Sequence, residues 1–207
     1  MSLSVEQHDN NTFTVTFNDS DHIYTTVTAS GSDVEEWIDE ILRIHRRRLN
    51  RLVVGLDAEW RPSFSPTQNP VAVLQLCVGR RCLLFLLLHA DYVPNSLADF
   101  LADHRFTFVG VGVDGDAERL DEEQNLQIAN AVDLRTLAAD KMGRRGLKNA
   151  GLARLAAEVM GLDVWKPKRV TMSHWDRRYL TYEQISYACS DAFLSFEIGR
   201  RLFAGEF

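Results

Sequence analysis

The sequence predicts an α/β fold in which helices flank a mixed β-sheet, and two patterns carry this prediction. Near the N-terminus, residues 12–17 and 23–29 alternate apolar and polar side chains around Asn18, as the strands of a hairpin do. Further along the chain, short apolar runs alternate with stretches of helical periodicity. Strands that come first and then alternate with helices are typical of a mixed sheet covered by helices.

The remaining elements follow from local patterns. An amphipathic helix is predicted through His45, because Ser32 and Glu35 match a capping box at its start. Further strands are predicted near residues 52–57, 71–78, 82–87, 107–113 and 129–132. The last helix runs to Leu202, with Thr181 as its N-cap and Gln184 completing a second capping box. Residues 61–69 lie between the predicted strands at 52–57 and 71–78. They contain two prolines and no clear periodicity, and they are predicted to form a flexible rim beside the candidate site.

Size and composition limit the class of protein. With 207 residues and 45% apolar content, the chain is expected to form one domain over residues 1–207, in which a hairpin and helix (about 10–49) precede a catalytic core (about 52–203). A net charge of −6 argues against a protein that coats long duplexes.

Cysteine usage and the apolar runs bear on the compartment. Three cysteines in apolar segments are expected to be reduced core residues, which favours an intracellular protein, cytoplasmic or nuclear. The N-terminus lacks the pattern of a signal peptide, and the longest apolar run, residues 82–88, is too short to span a bilayer. We therefore expect no membrane association.

Two carboxylates lie near the end of the apolar run at residues 51–60. Asp57 and Glu59 are two positions apart, so on a strand their side chains project from the same face. Two adjacent carboxylates repel each other, and a hard divalent cation relieves that repulsion. Oxygen ligands favour Mg²⁺, Mn²⁺ or Ca²⁺ over zinc. The alternative is a strand-end pair that faces solvent.

A tyrosine and an aspartate share one face of the last helix. Tyr187 and Asp191 are four positions apart, which places them one above the other. Because apolar residues surround them, Asp191 needs a partner inside the fold. A hydrogen bond from Tyr187 to Asp191 across one turn is the simpler alternative.

A third source of carboxylates follows the strand pattern at residues 107–113. That pattern is expected to break at Gly115, and a short helix follows. Asp114 and Asp116 both lie at this exit, and either can be a metal ligand or the N-cap of the helix. Local patterns leave both residues open.

Four segments in order resemble the DEDD superfamily of 3′-5′ exonucleases, in the tyrosine-bearing, DnaQ-like branch that includes ribonuclease D and the Werner-type exonucleases. The resemblance covers residues 53–202 and rests on Leu-Asp-Ala-Glu-Trp from Leu56, Val-Gly-Val-Asp-Gly-Asp from Val111, Gly-Leu-Lys-Asn-Ala-Gly-Leu from Gly146, and the segment from Ser173 to Ala192. It implies a ribonuclease-H-like fold and a metal-dependent 3′-5′ exonuclease that releases nucleoside 5′-monophosphates.

The resemblance also implies the roles of the acids. By position, two Mg²⁺ or Mn²⁺ ions would be held by Asp57, Glu59, Asp116 and Asp191, which favours Asp116 over Asp114. Two such ions, about 3.5–4 Å apart, clamp an in-line displacement. Asp57 is the best candidate to bridge both ions, with Glu59 and Asp191 on the water-activating ion and Asp116 on the leaving-group side. Because a free tyrosine has a pKa of about 10, Tyr187 is a poor base and is expected to orient the water.

Basic and aromatic residues are candidates for contacting the 3′ ends of single-stranded RNA or DNA. These candidates are Trp60, Lys166, Lys168, Arg169, His174 and Trp175. Cationic side chains can contact phosphates. Trp165, His174 and Trp175 can stack on terminal bases, and Trp60 can form a pocket wall. His174 is not expected to bind the metal, and a solvated surface is the alternative reading of the basic residues.

Three functions fit these patterns. The first is an active exonuclease. The second is a nuclease-fold scaffold that binds nucleic acid or protein with little or no catalysis, which the acidic net charge favours. The third is another metal-dependent phosphoesterase. No residue shows a preference for RNA or DNA, since the distinguishing 2′-OH needs an aimed partner. The exposed edge of the N-terminal hairpin is a candidate surface for a homo-oligomer.

Overall fold

One eight-stranded sheet forms the centre of the computed structural model, which describes residues 3–207. The strands are β1 (Leu3–Gln7), β2 (Thr12–Phe17), β3 (Asp21–Thr28), β4 (Leu52–Trp60), β5 (Val71–Val78), β6 (Arg81–Phe85), β7 (Phe106–Gly110) and β8 (Ala131–Asp133). The α-helices are α1 (Gly31–His45), α2 (Asn95–Leu101), α3 (Val113–Gln124), α4 (Leu134–Lys141), α5 (Leu152–Met160), α6 (Lys168–Thr171) and α7 (Tyr182–Ala204). Short 3₁₀ turns lie at Leu49–Arg51, Leu87–His89 and Arg145–Asn149.

The sheet is mixed, as the sequence predicts. Its strand order is β1-β2-β3-β6-β5-β4-β7-β8. The pairs β1–β2, β2–β3, β6–β5 and β5–β4 are antiparallel, whereas β3–β6, β4–β7 and β7–β8 are parallel. The candidate acids lie near the carboxyl ends of two parallel strands. Asp57 and Glu59 lie near the end of β4, and Asp116 follows β7.

The sequence prediction missed β1 and therefore misplaced the sheet edge. β1 pairs with residues 13–17 of β2, so the outer edge belongs to β1 and not to the hairpin. Side chains of β1 are mostly exposed, which leaves little hydrophobic alternation for a sequence pattern to detect. Any pairing with a second copy at this end would have to use β1.

The predicted break at Gly115 is also wrong. β7 ends at Gly110, and the left-handed Gly112 (φ 77°) turns the chain into α3 at Val113. This conformation is cheap only for glycine, so the turn occurs earlier than the apolar pattern suggests. Asp114 and Asp116 therefore lie in the first turn of a helix and not at the end of a strand.

Apolar cores cover both faces of the sheet. Helices α4, α5 and α7 pack in one core with Phe17, Leu84 and Val109. Helices α1, α2 and α3 pack in the other, with Leu56, Leu74 and Phe108. Alternate residues of the central strands thus serve opposite cores, which explains why these strands read as nearly continuous apolar runs.

Helix α7 begins at the predicted capping box. Thr181 Oγ1 accepts a hydrogen bond from the Gln184 backbone N–H at 3.2 Å, and Gln184 Oε1 accepts one from the Thr181 N–H at 3.0 Å. The helix then runs to Ala204, with Gly205 in the left-handed conformation as its C-cap. Both ends are therefore fixed by local sequence.

Gly55 of β4 allows α7 to lie directly on the sheet. A Cβ atom at this position would lie 2.1 Å from the Ala192 carbonyl oxygen and 2.6 Å from the Phe196 backbone nitrogen. Both obstacles are backbone atoms, so a side chain here cannot be accommodated by a rotamer change. The contact holds Asp191, which precedes Ala192, close to Asp57, which follows Gly55 by two residues.

Within residues 3–207, no helix combines the length and the hydropathy needed to cross a membrane. Cys77, Cys82 and Cys189 are buried free thiols in the core.

We expect Gly55→Ala to lower the free energy of unfolding by at least about 2 kcal/mol, because the added methyl group forces α7 away from β4. Urea denaturation followed by circular dichroism measures this change. Gly115→Ala is the matched control, since a Cβ atom there meets open space on a helix and should stabilise the protein by about 0.5–1 kcal/mol. Equal effects of the two substitutions would contradict the role assigned to the β4–α7 contact.

Candidate active site

Three carboxylates from two elements converge at the end of β4. Oxygen atoms of Asp57, Glu59 and Asp191 all lie within 4.8 Å of one another. Asp57 and Glu59 project from one face of β4, while Ala58 between them packs in the opposite core. Asp191 enters from α7 and is 3% exposed. Asp57 and Glu59 are half-buried beside Asp191, so they do not form a strand-end pair open to solvent. We call these three residues the acid cluster.

Asp116 joins this region, whereas Asp114 does not. Asp116 is buried in the first turn of α3, and Asp114 is exposed. The charge of Asp116 raises the pKa of both Asp57 and Glu59, although its oxygens lie outside the 4.8 Å group. The burial and position of Asp116 agree with the residue that the resemblance favours. Its role as a metal ligand stays a prediction.

The pKa values of the acids show how unfavourable the arrangement is without a cation. Burial raises the pKa of Asp57 well above its usual value, and the charges of Asp191 and Asp116 raise it further. Burial and the neighbouring Asp57 act in the same way on the pKa of Glu59. For Asp116, burial outweighs the opposing effect of Arg119 and raises the pKa to about 7. Buried like charges with oxygen-only donors fit a hard divalent cation.

Lys166 supplies the positive charge that the acid cluster has in this structure. Its Nζ atom lies 2.6 Å from Asp191 Oδ2 and 5.0 Å from the centre of the Tyr187 ring. Burial alone would lower the pKa of Lys166, but Asp191, Tyr187 and Asp57 together raise it above its usual value. The sequence predicted a phosphate contact for Lys166 and did not predict this ion pair.

Tyr187 lies one turn before Asp191 and is held as a neutral phenol. Burial, followed by the charge of Asp191, raises the pKa of Tyr187 to about 12. Its hydroxyl oxygen accepts a hydrogen bond from Thr171 Oγ1 at 3.0 Å. Sequence reasoning missed Thr171, because it lies in a separate short helix and belongs to no spacing pattern with Tyr187.

Trp175 is buried and cannot stack on a terminal base, so that prediction is wrong. The residue is fully buried, and its Nε1–H donates to the Thr171 carbonyl oxygen at 3.3 Å. Its ring centre lies 6.0 Å from that of Tyr187. Trp175 therefore packs beside the Tyr187 ring from the interior of the protein.

The other predicted substrate contacts lie on the surface near the site. Trp165, which precedes Lys166, is 71% exposed. Lys168 is exposed, while Arg169 forms an ion pair with Glu183. The His174 side chain is 51% exposed and lies 3.7 Å from Asp176, outside the acid cluster. Of these three basic residues, Lys168 is the one without an ion pair among the described residues, so it is the most available to a phosphate.

Trp60 forms part of a wall beside the acids. The Arg119 guanidinium lies 4.1 Å from its ring centre, and Arg119 also binds Glu123 and the Asn69 carbonyl oxygen. The adjoining segment 61–69 contains neither helix nor strand. It carries Phe64, which is 97% exposed and belongs to no sequence pattern that predicts a site.

Comparison with protein families and curated proteins gives consistent matches. A family model described as 3′-5′ exonuclease matches residues 24–203. A 3′-5′ exonuclease of Arabidopsis thaliana is 36% identical over 148 residues, which cover 70% of this chain and 50% of that protein. The human exonuclease 3′-5′ domain-containing protein 2 is 33% identical over 171 residues, covering 79% of this chain and 27% of that protein. The chain thus spans half or less of the length of these relatives.

Solved structures with related folds include an exonuclease domain and a ribonuclease. The EXD2 exonuclease domain soaked in Mn has a TM-score of 0.52 at 26% identity, covering 87% of this chain and 89% of that one. Escherichia coli RNase D has a TM-score of 0.72 at 19% identity, covering 87% of this chain and 44% of that one. The fold is therefore ribonuclease-H-like, as predicted.

The raised pKa of Asp116 predicts a pH dependence of stability without divalent cations. The folded protein holds this proton up to about pH 7, whereas the usual pKa is 3.8, so protonation stabilises the fold. Its contribution is complete below about pH 4 and is lost as the pH rises through about 7. Chemical denaturation in EDTA should show this loss.

We expect Asp116→Asn to remove about 2–4 kcal/mol of that decline. Asp114→Asn, an exposed neighbour in the same helical turn, is the control and should leave the pH profile unchanged. Identical profiles for Asp116→Asn and the unmodified protein would contradict the burial argument.

Proposed function

Since the chain belongs to the 3′-5′ exonuclease family, we propose that it removes nucleotides from the 3′ end of single-stranded RNA or DNA. The products would be nucleoside 5′-monophosphates. One observation carries the proposal: Asp57, Glu59 and Asp191 bring their oxygens within 4.8 Å of one another beside Tyr187. A scaffold without catalysis would have no use for a buried group of mutually repelling acids.

The cofactor we propose is a pair of Mg²⁺ or Mn²⁺ ions. Asp57, Glu59 and Asp191 would hold them, with Asp116 contributing from α3. When bound, such ions activate water and stabilise the leaving oxygen of a phosphodiester. Structures of the EXD2 exonuclease domain soaked in Mn, and in Mn and Mg, support the choice of metal.

Tyr187 would orient the attacking water. Because its pKa is about 12, the phenol keeps its proton at neutral pH and can donate a hydrogen bond, but it cannot serve as the base. Thr171 and Trp175 fix the phenol from behind, through the contacts described above. A donor that is already fixed would lose little entropy when it orients the water.

The substrate class rests on the surface around the acids. Lys168 and the exposed rings of Trp165 and Phe64 would contact a flexible strand through phosphates and stacked bases. EXD2 exonuclease domain structures soaked in Mn and dGMP, or in Mg and GMP, are consistent with nucleotide products of either sugar. We therefore propose both polymers as substrates.

The test is a time course with 5′-labelled single-stranded RNA and DNA in Mg²⁺ or Mn²⁺. We expect a ladder that shortens from the 3′ end, and EDTA or Asp57→Asn should reduce the rate by at least about 100-fold. Retained binding without shortening in either metal would reject the enzyme and support a scaffold.

Tyr187→Phe should lower the rate of the chemical step by about 100-fold, because the phenol no longer orients the water. Single-turnover kinetics at saturating metal measure this rate. Tyr182→Phe is the matched control on the same helix: Tyr182 is 55% exposed and donates to Gln7, so its loss should change the rate less than about twofold. A full rate in Tyr187→Phe would remove the tyrosine from the mechanism.

A further inference from the structure

We propose that Lys166 occupies the cation position of the acid cluster while no divalent ion is bound, and that a binding ion displaces it. This inference rests on the proposed function, since it assumes that the acid cluster is the metal site. It concerns metal loading and not the chemical step. Lys166 would thereby lower the apparent affinity for the ion and protect the metal-free fold.

The geometry supports competition for the same carboxylate. Lys166 Nζ lies 2.6 Å from Asp191 Oδ2, and Asp191 is one of three acids whose oxygens lie within 4.8 Å. An ion held by these oxygens would lie within a few ångströms of the ammonium group. Two cations at that separation repel each other strongly when water is partly excluded. The ammonium and the ion are therefore alternatives.

The segment that carries Lys166 can move without breaking secondary structure. Residues 163–166 form no backbone hydrogen bond to any described residue, and α6 begins only at Lys168. The contacts that hold the segment include the buried side chain of Val164, the Lys166–Asp191 ion pair and the approach of Lys166 Nζ to the Tyr187 ring. Release of the ion pair would therefore loosen this segment locally.

A neighbouring cavity offers room for a displaced side chain. Its volume is about 460 Å³, and it is lined by Lys166, Tyr187 and the apolar side chains of Val164 and Val170. The Lys166 side chain is already 30% exposed, so withdrawal from Asp191 returns its charge to water.

The experiment measures Mn²⁺ affinity by electron paramagnetic resonance, without any nucleic acid. We expect Lys166→Gln to bind Mn²⁺ at least about tenfold more tightly than the unmodified protein, because no ammonium competes. Lys168→Gln is the matched control, since it removes the same charge two residues away without touching the acid cluster, and should bind within about twofold. Lys166→Arg keeps the charge and should restore weak binding.

Metal-free stability gives a second readout. In EDTA, Lys166→Gln should melt about 5 °C lower than the control, because the buried Asp191 loses its ion-pair partner. Added Mn²⁺ should remove this difference. If Lys166 only positioned Asp191 for the ion, Lys166→Gln would instead bind Mn²⁺ more weakly, and that result would overturn the proposal.

The unmodified protein provides a test that does not depend on a variant folding. Trypsin cleavage after Lys168 or Arg169 should accelerate when Mn²⁺ binds, because displaced Lys166 no longer holds the segment. Unchanged or slower cleavage in saturating Mn²⁺ would overturn the displacement. Equal Mn²⁺ affinity in all variants would reject this inference alone, whereas no Mn²⁺ binding in any variant would reject the proposed function as well.

Discussion

The close approach of α7 to β4 at Gly55 is the constraint on which the candidate site depends. Backbone atoms of Ala192 and Phe196 fill the space that a side chain at Gly55 would need. That contact fixes Asp191 beside Asp57, although the two residues are far apart in the chain. The capping box at Thr181 sets where α7 begins, so the contact and the cap together determine which helical positions face the acids.

The same packing brings three carboxylates of like charge close together. Asp57, Glu59 and Asp191 are forced together in a partly dry site, and burial raises the pKa of each. Lys166 offsets part of this cost through Asp191. Such stored repulsion is useful only where a cation arrives, which is why perturbed acids cluster at functional sites.

Support for the tyrosine comes from residues that never meet a substrate. Trp175 and Thr171 lie behind Tyr187 and fix its ring and hydroxyl group. Exposed aromatic rings lie instead at Trp165 and Phe64, outside this support. The site therefore separates a rigid interior, which orients groups, from a surface that can adapt to different bases.

Features that depend only on neighbouring residues could be predicted from the spacing of side chains. Spacings of two and four placed Asp57 with Glu59 and Tyr187 with Asp191, because strand and helix geometry are local. Packing between distant segments places Asp116 in the interior and Asp114 at the surface. It also buries Trp175 and pairs Lys166 with Asp191. The spacing of charged and aromatic residues along the chain does not show which side chains such contacts will bury. These outcomes therefore could not be predicted from the sequence pattern alone.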